Sequence, residues 1–226
     1  MVLNGFMMEN LVFMKIKKIL IVTSKDSWIL ERKSKFKIKG VKTSFITDHN
    51  HIKKNSYTVF YLGYTKIVPD EILKKNRYNL VSHGSDLPNG RGFAPYTWDI
   101  LKKKNFITIT LFKILNCKDP VDSGPIFSKI KIKLDGTELI SEIRDMIVNA
   151  MIKQISTFLN SKTKNFKAQK GKATYFRKRS PVDSKINLNK KFKDLIPLLR
   201  VVDNERYPAF FEYKKKKYLL KIFKIN

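Results

Sequence analysis

The chain has 226 residues, 42% of them hydrophobic and 12% aromatic, which is enough apolar surface for one sizeable domain or a domain with a small extension, so its high charge does not read as disorder. A lone cysteine, Cys117, excludes an internal disulfide framework and fits a reducing cytosol, and no apolar run approaches the roughly eighteen residues of a membrane span. The balance of 47 basic against 19 acidic residues, a net of +28, points either to a polyanionic partner or to drift in an AT-rich genome; with 39 Lys to 8 Arg the tool of bidentate phosphate contact is scarce, which favours drift.

Residues 1–13 lack a basic start and a small-residue cleavage site, so no signal peptide is expected and the segment reads as peripheral, with the strand pattern beginning after Met14. Lys18–Thr23 reads as a short, β-branched buried strand. A helix is predicted over Asp26–Lys37 with Gly40 at its stop, then strands at Val41–Thr47 and Tyr57–Gly63. Pro69 opens a short helix with acids in its first turn, where the helix dipole favours them. A fourth strand, Tyr78–His83, runs into a turn-rich stretch ending at Gly92. A helix at Pro95–Lys103 and strands at Phe106–Ile114 and Pro125–Leu134 follow. Leu139, Ile143, Ile147, Ala150 and Phe158 belong to one apolar face of a long helix over Thr137–Ser161. The alternation argues an α/β sheet with parallel members. Beyond it, SKTKNFKAQKGKA reads as a linker, followed by a helix near Lys190–Arg200 and strands at Ala209–Tyr213 and Tyr218–Phe223, with Lys214–Lys217 as the hairpin tip.

Several chemistries are absent from the pattern. The turn after the first strand has no glycine, so the dinucleotide fingerprint is missing, and Gly171-Lys172 is followed by Ala173, which breaks a phosphate loop. Three histidines and one cysteine exclude a zinc ribbon; His49 and His51, in a polar loop, read as surface residues, and no metal site is expected. His83 differs, because it closes an apolar strand before a glycine-rich turn, at the edge where open α/β sheets bind ligands. An imidazole there is a candidate general acid or base, with a turn-stabilising role as the alternative.

The block His83-Gly84-Ser85-Asp86-Leu87-Pro88, then Gly90-Arg91-Gly92 and Pro95-Tyr96-Thr97-Trp98, resembles the core of the formyltetrahydrofolate-dependent formyltransferases. Asp122-Ser123-Gly124-Pro125-Ile126 is similar to the family's Asp-x-Gly-x-Ile, Tyr64–Leu73 resembles the segment leading into its catalytic strand, and Leu198–Phe211 resembles part of its tail. The resemblance implies a Rossmann-like domain over residues 14–161 with a mostly parallel sheet, and a linker with a small C-terminal α+β subdomain over 162–226. It implies an N-formyltransferase in which His83 carries protons and Asp122 holds and polarises the imidazole. N10-formyltetrahydrofolate would lie along Tyr64, Thr65, Lys66 and Ile67, with Cys117, Lys118, Asp119 and Val121 in the loop closing over it. Asn79, Ser85 and Arg91 are candidates for contacting the substrate, with fixing of the Gly-Arg-Gly turn as the alternative for Arg91.

The family's Asn two residues before the His is Val81 here. Asn79 would share the strand face of His83 but sit about 13 Å away at ~3.3 Å per residue, too far to replace it. The length, with about sixty residues after the linker, suits a nucleotide-linked amino sugar as acceptor, as in the cytoplasmic enzymes of lipopolysaccharide biosynthesis. Nucleic acid is not the expected partner; a methionyl-tRNA formyltransferase-like enzyme, or a catalytically silent nucleic-acid-binding protein on the same fold, stays open. So does the oligomer, a homodimer included.

Overall fold

The computed structural model describes residues 18–54 and 58–225. The peripheral reading of residues 1–13, the expected domain start at Met14 and Tyr57 of the third expected strand lie outside the described residues.

Strand β1 (Lys18–Val22) buries Ile19, Ile21 and Val22 almost completely. Helix α1 (Trp28–Glu31) starts at Ser27, whose Oγ accepts from the Ile29 N–H at 3.3 Å, and stops well short of the expected Lys37. Ile29 is its one fully buried residue, with Trp28 packed part-buried against the core, and the Lys33-Ser34-Lys35 run continues as a single 3-10 turn. Next come β2 (Lys42–Ile46), β3 (Thr58–Leu62), α2 (Asp70–Leu73) and β4 (Tyr78–His83). The two-residue β5 (Arg91–Gly92), α3 (Pro95–Leu101), β6 (Phe106–Lys113), β7 (Ile126–Lys133) and α4 (Ile140–Asn160) complete the first part of the chain.

The main sheet has the order β2-β1-β3-β4-β6-β7. Its first four strands are parallel, β6 runs antiparallel to both neighbours, and the mostly parallel α/β architecture expected from the alternation is present. β3 is buried at all five positions, as a strand covered on both faces must be. One face is covered by α4, where Phe158 makes edge contacts with Phe60, Tyr78 and Phe127 at 5.1–6.0 Å between ring centroids. Gln154, buried in the same helix, accepts from Ser82 Oγ at 3.0 Å and donates to the Ile109 carbonyl at 2.9 Å, so its amide is satisfied in the core. The other face packs Val22, Val59, Tyr61, Val68, Ile72 and Leu73. Among the described residues no helix is long and apolar enough to cross a membrane.

The stretch read as a linker lies along the sheet domain. Lys167 bridges to Ile126, and β8 (Tyr175–Phe176) pairs in parallel with β5. Beyond it, α5 (Phe192–Val201), β9 (Ala209–Tyr213) and β10 (Lys216–Leu220) enclose a small core of Ile186, Leu195, Leu199, Val202 and Ala209. Buried Arg200 pairs with Glu138 at 2.7 Å, and Arg144 of α4 pairs with Asp203 at 2.5 Å, which ties this extension to the sheet domain. Of the expected four-lysine tip only Lys214 and Lys215 turn, both at positive φ, and β10 starts at Lys216, two residues earlier than expected.

Candidate active site

A cleft of about 430 Å³ opens at the carboxyl ends of β1, β3 and β4. Ser24, Gly63–Val68, His83 and Gly84 line it from the sheet. The loop Asn116–Gly124 closes one side, and the start of α3, one face of α4 and residues of the extension close the other. Its volume suits one drug-sized ligand or two smaller ones side by side.

His83 stands at the floor. Its Nε2 lies 3.0 Å from the Gly90 carbonyl oxygen and 3.7 Å from Asp122 Oδ2. A carbonyl only accepts, so Nε2 carries the proton, and in the neutral ring the lone pair lies on Nδ1. At 3.7 Å Asp122 acts on the ring through charge, while the same Oδ2 accepts the Gly92 N–H at 2.9 Å. The two side chains are 11% and 13% exposed, shielded enough for that charge to matter and open enough to be reached.

The loops that carry this pair are held by backbone packing. A side chain at Gly124 would put its Cβ 1.8 Å from the Lys113 carbonyl oxygen, so the Asp-x-Gly spacing lets the loop lie directly on β6. Asp122 itself adopts φ 55°, a left-handed conformation that Asp tolerates. Gly92, at φ 94°, would place a Cβ 2.5 Å from the Phe176 carbonyl oxygen, so the second glycine of Gly-Arg-Gly admits the β5–β8 pairing. Thr110 Oγ1 donates to the Ser85 carbonyl at 2.6 Å, and Gly90 N–H donates to Thr174 Oγ1 at 2.8 Å. Gln169, from the stretch read as a linker, donates to the Asp122 and Gly124 carbonyls at 2.7 and 2.9 Å.

Most of the expected folate-side residues line the cleft: Tyr64, Thr65, Lys66, Ile67, Cys117, Asp119 and Val121. Tyr64 is fixed by His49, whose Nδ1 is 2.6 Å from the Tyr64 hydroxyl and whose N–H donates to it at 3.2 Å. His49 is therefore a buried positioning residue; the surface reading holds only for His51, which is exposed. Lys66 pairs with Asp48 at 2.9 Å, and the Asn50 N–H together with Lys66 holds the Asp48 carboxyl down at about 2. Cys117 N–H donates to Asp70 Oδ1 at 2.7 Å, anchoring the closing loop to α2.

Four expected site residues are not brought to the cleft wall: Asn79, Ser85, Arg91 and Lys118. Asn79 donates to the Leu73 carbonyl at 2.8 Å and accepts from Asn76 and Tyr61, so it is spent below the cleft. Ser85 is buried against β6. Arg91 is buried in the β5–β8 layer, where it donates to Gln169 Oε1 at 2.7 Å and to the Tyr175 hydroxyl at 3.2 Å. Lys118 is exposed on the closing loop. The sequence reading missed the opposite wall, where Arg144, Lys178, Arg179, Arg206 and Tyr207 gather. Arg206 and Tyr207 fall within the tail segment Leu198–Phe211, but Arg144, Lys178 and Arg179 lie outside every matched segment and share no spacing with it.

No protein-family model matches the chain. It is similar to the methionyl-tRNA formyltransferase of Thermodesulfovibrio yellowstonii, 29% identical over 161 residues, which is 68% of this chain and 51% of that protein. Among solved structures, a methionyl-tRNA formyltransferase from Clostridium thermocellum matches with a TM-score of 0.76 and 25% identity, over 93% of this chain and 94% of that one. A sugar N-formyltransferase from a Shewanella species matches with a TM-score of 0.64 and 17% identity, over 91% and 96%, a likeness of fold alone. The chain spans between 24% and 66% of the length of the curated relatives it matches. The two motif segments meet at His83 and Asp122, and over most of its length the chain is similar in sequence and fold to formyltransferases.

Proposed function

We propose that this chain transfers a formyl group from N10-formyltetrahydrofolate to the amine of a nucleotide-linked amino sugar. The observation that carries the reading is His83, pinned through Nε2–H to Gly90 with the Asp122 carboxylate 3.7 Å away, at the floor of a cleft wide enough for two partners.

The sheet-side half of the cleft fits a folate. Ile67, Leu115 and Val121 are large apolar side chains left exposed on its lip, and Tyr64 and Phe112 line the slot behind them. A flat aromatic ring system would cover that surface. Tyr64, Thr65, Lys66, Ile67, Cys117, Asp119 and Val121 would hold it, and when bound it supplies an activated formyl carbon. His83 takes the proton that the attacking amine must lose and gives it up to the departing folate nitrogen as the C–N10 bond breaks, and Asp122 stabilises the imidazolium in between. Val81 offers no hydrogen-bond donor and Asn79 is spent, so stabilising charge on the formyl oxygen rests on His83 and on backbone N–H groups. In this reading residues 14–161 supply the chemistry and 162–226 the far wall, and the enzyme serves cytoplasmic sugar modification for lipopolysaccharide.

A methionyl-tRNA acceptor is the second reading. The net charge of +28 favours it, and the expectation that such an enzyme needs a larger C-terminal domain loses force because this chain matches 94% of the C. thermocellum chain. The deciding experiment gives the purified protein N10-formyltetrahydrofolate with either a panel of nucleotide-linked amino sugars or methionyl-tRNA. Formylation of a sugar amine is the expected result. Formylation of methionyl-tRNA alone replaces the acceptor, and transfer to neither leaves a silent binding protein.

A further inference from the structure

We propose that Arg179, with Lys178 beside it, receives the diphosphate of the nucleotide-linked acceptor. This rests on the formyl-transfer reading for the word acceptor, but its observations are separate from those at His83.

The two walls of the cleft differ in charge. On the wall made by α1, α4 and the extension, four basic side chains, Arg144, Lys178, Arg179 and Arg206, face two acidic ones, Asp26 and Asp203. Half of that charge is already matched within the protein. Arg144 holds Asp203 at 2.5 Å, and Arg206 is engaged by Glu31 and by the Asp26 carbonyl. Arg179 is different. Its terminal nitrogens donate only to neutral carbonyls, Val201 O at 3.3 Å and Asp183 O at 3.1 Å, while its Nε, like that of Arg144, is buried with no partner. Among the described residues no carboxylate lies within ion-pair distance of it. The carboxylate of Asp183 is committed to Arg177 and to the Ser180 N–H at 2.7 Å.

A guanidinium keeps its charge under all ordinary conditions, and withdrawing it from water without a counterion is costly. Burial pushes the Arg179 guanidinium below its usual value, which is the sign of that uncompensated cost. An anion entering the cleft relieves it. Two terminal nitrogens with donors to spare, next to the exposed ammonium of Lys178, match a group with several charged oxygens better than a single carboxylate. Tyr96 and Tyr207 line the same wall and flank the guanidinium, giving apolar ring surface for the remainder of a nucleotide.

The test is calorimetric titration of the full chain with uridine diphosphate, inorganic pyrophosphate, uridine and a tRNA, with tetrahydrofolate binding followed separately by tryptophan fluorescence. Wild type is expected to bind uridine diphosphate and pyrophosphate, with affinity falling as salt rises, and to bind uridine far more weakly. Arg179→Gln is expected to weaken uridine diphosphate at least about tenfold, Arg179→Lys less, and Lys178→Ala about threefold, while tetrahydrofolate binding stays within about twofold. Should Arg179→Gln fail to fold, Lys178→Ala, an exposed position, carries the same test through its loss of affinity and of salt dependence. Equal diphosphate affinity in wild type and variants, no diphosphate binding by a chain that binds tetrahydrofolate, or Arg179-dependent binding of tRNA alone would each overturn the proposal. Arg179-dependent diphosphate binding without any tetrahydrofolate binding would sustain it and remove the formyl-transfer reading instead.

Discussion

The two sides of the cleft were built from different kinds of sequence. The sheet side is made of contiguous segments at strand ends, Gly63–Val68 after β3 and His83–Gly92 after β4, with the Asp122–Gly124 turn laid onto β6. Each segment sits where parallel strands deliver their carboxyl ends, so local order along the chain becomes spatial order in the site. The far side is assembled from single residues on α4, on the strand-like run after β8 and on the turn before β9, and their proximity is created only by the docking of the extension. Chemistry is assigned to the first side and recognition of the acceptor to the second, and the two assignments separate under mutation.

The largest expected effect falls on the sheet side. His83→Asn is expected to lower kcat by on the order of 10²–10⁴, the scale of a general acid–base, with tetrahydrofolate affinity nearly unchanged. Asp122→Asn is expected to be comparably severe. Asp203→Asn probes the opposite side, because it removes the carboxylate that ties Arg144 to the extension. Breaking so shielded a pair is expected to cost about 2–3 kcal/mol, read as a lower unfolding midpoint, with diphosphate binding weakened through loss of the far wall. The same tie makes a pH prediction. Burial pushes the Asp203 carboxyl up, but hydrogen bonds from Arg144 and the Arg206 N–H outweigh it, so the folded value lies below the usual one. Its contribution is therefore complete above about pH 4–5 and is lost as pH falls through the lowered folded value, a loss that the Asn variant should not show in an acid titration.

A smaller effect joins the two sides. Gln169→Ala removes the amide that clamps the Asp122 and Gly124 carboxyl-side loop and frees Arg91 Nη2. A loss of about 1–3 kcal/mol is expected, together with a fall in kcat that exceeds any change in KM, because the geometry of Asp122 loosens. The smallest is Val81→Asn. It is expected to raise kcat by less than the roughly 10² that an oxyanion donor is worth, since part of the gain offsets burial of an amide among Tyr61, Tyr64 and Ile114. An unchanged or lower kcat would mean that backbone N–H groups already fill that role.

Legibility followed the same division. β4 and β9 fall residue for residue where the pattern placed them, since a β-branched or aromatic run bounded by turn residues has little freedom to shift. α4 begins three residues later than its periodicity suggested because Glu138 accepts from the Asp135 and Gly136 N–H groups and Asp135 from Thr137, a polar turn that holds the chain out of the helix. His83 and Asp122 were readable from motif and from position at a strand end. His49 was not, because a polar loop gives no sign that its imidazole folds back onto Tyr64. Neither were Gln169 and Arg179: a lysine-rich stretch with no apolar period reads as solvated chain, and only the pairing of β8 with β5 turns it into a wall of the site. Arg91 stood between substrate contact and fixing its turn, and its bonds to Gln169 and Tyr175 place it in the second role.

The measurement that bears most directly on the account is a double-mutant cycle on His83 and Asp122, with kcat for formyl transfer from N10-formyltetrahydrofolate to an amino-sugar nucleotide as the readout. If the two side chains, 3.7 Å apart, work as one unit, the double Asn variant is expected to be no more than about threefold slower than the slower single variant. Losses that multiply would contradict a shared role, and full activity in His83→Asn would remove the imidazole from the mechanism altogether.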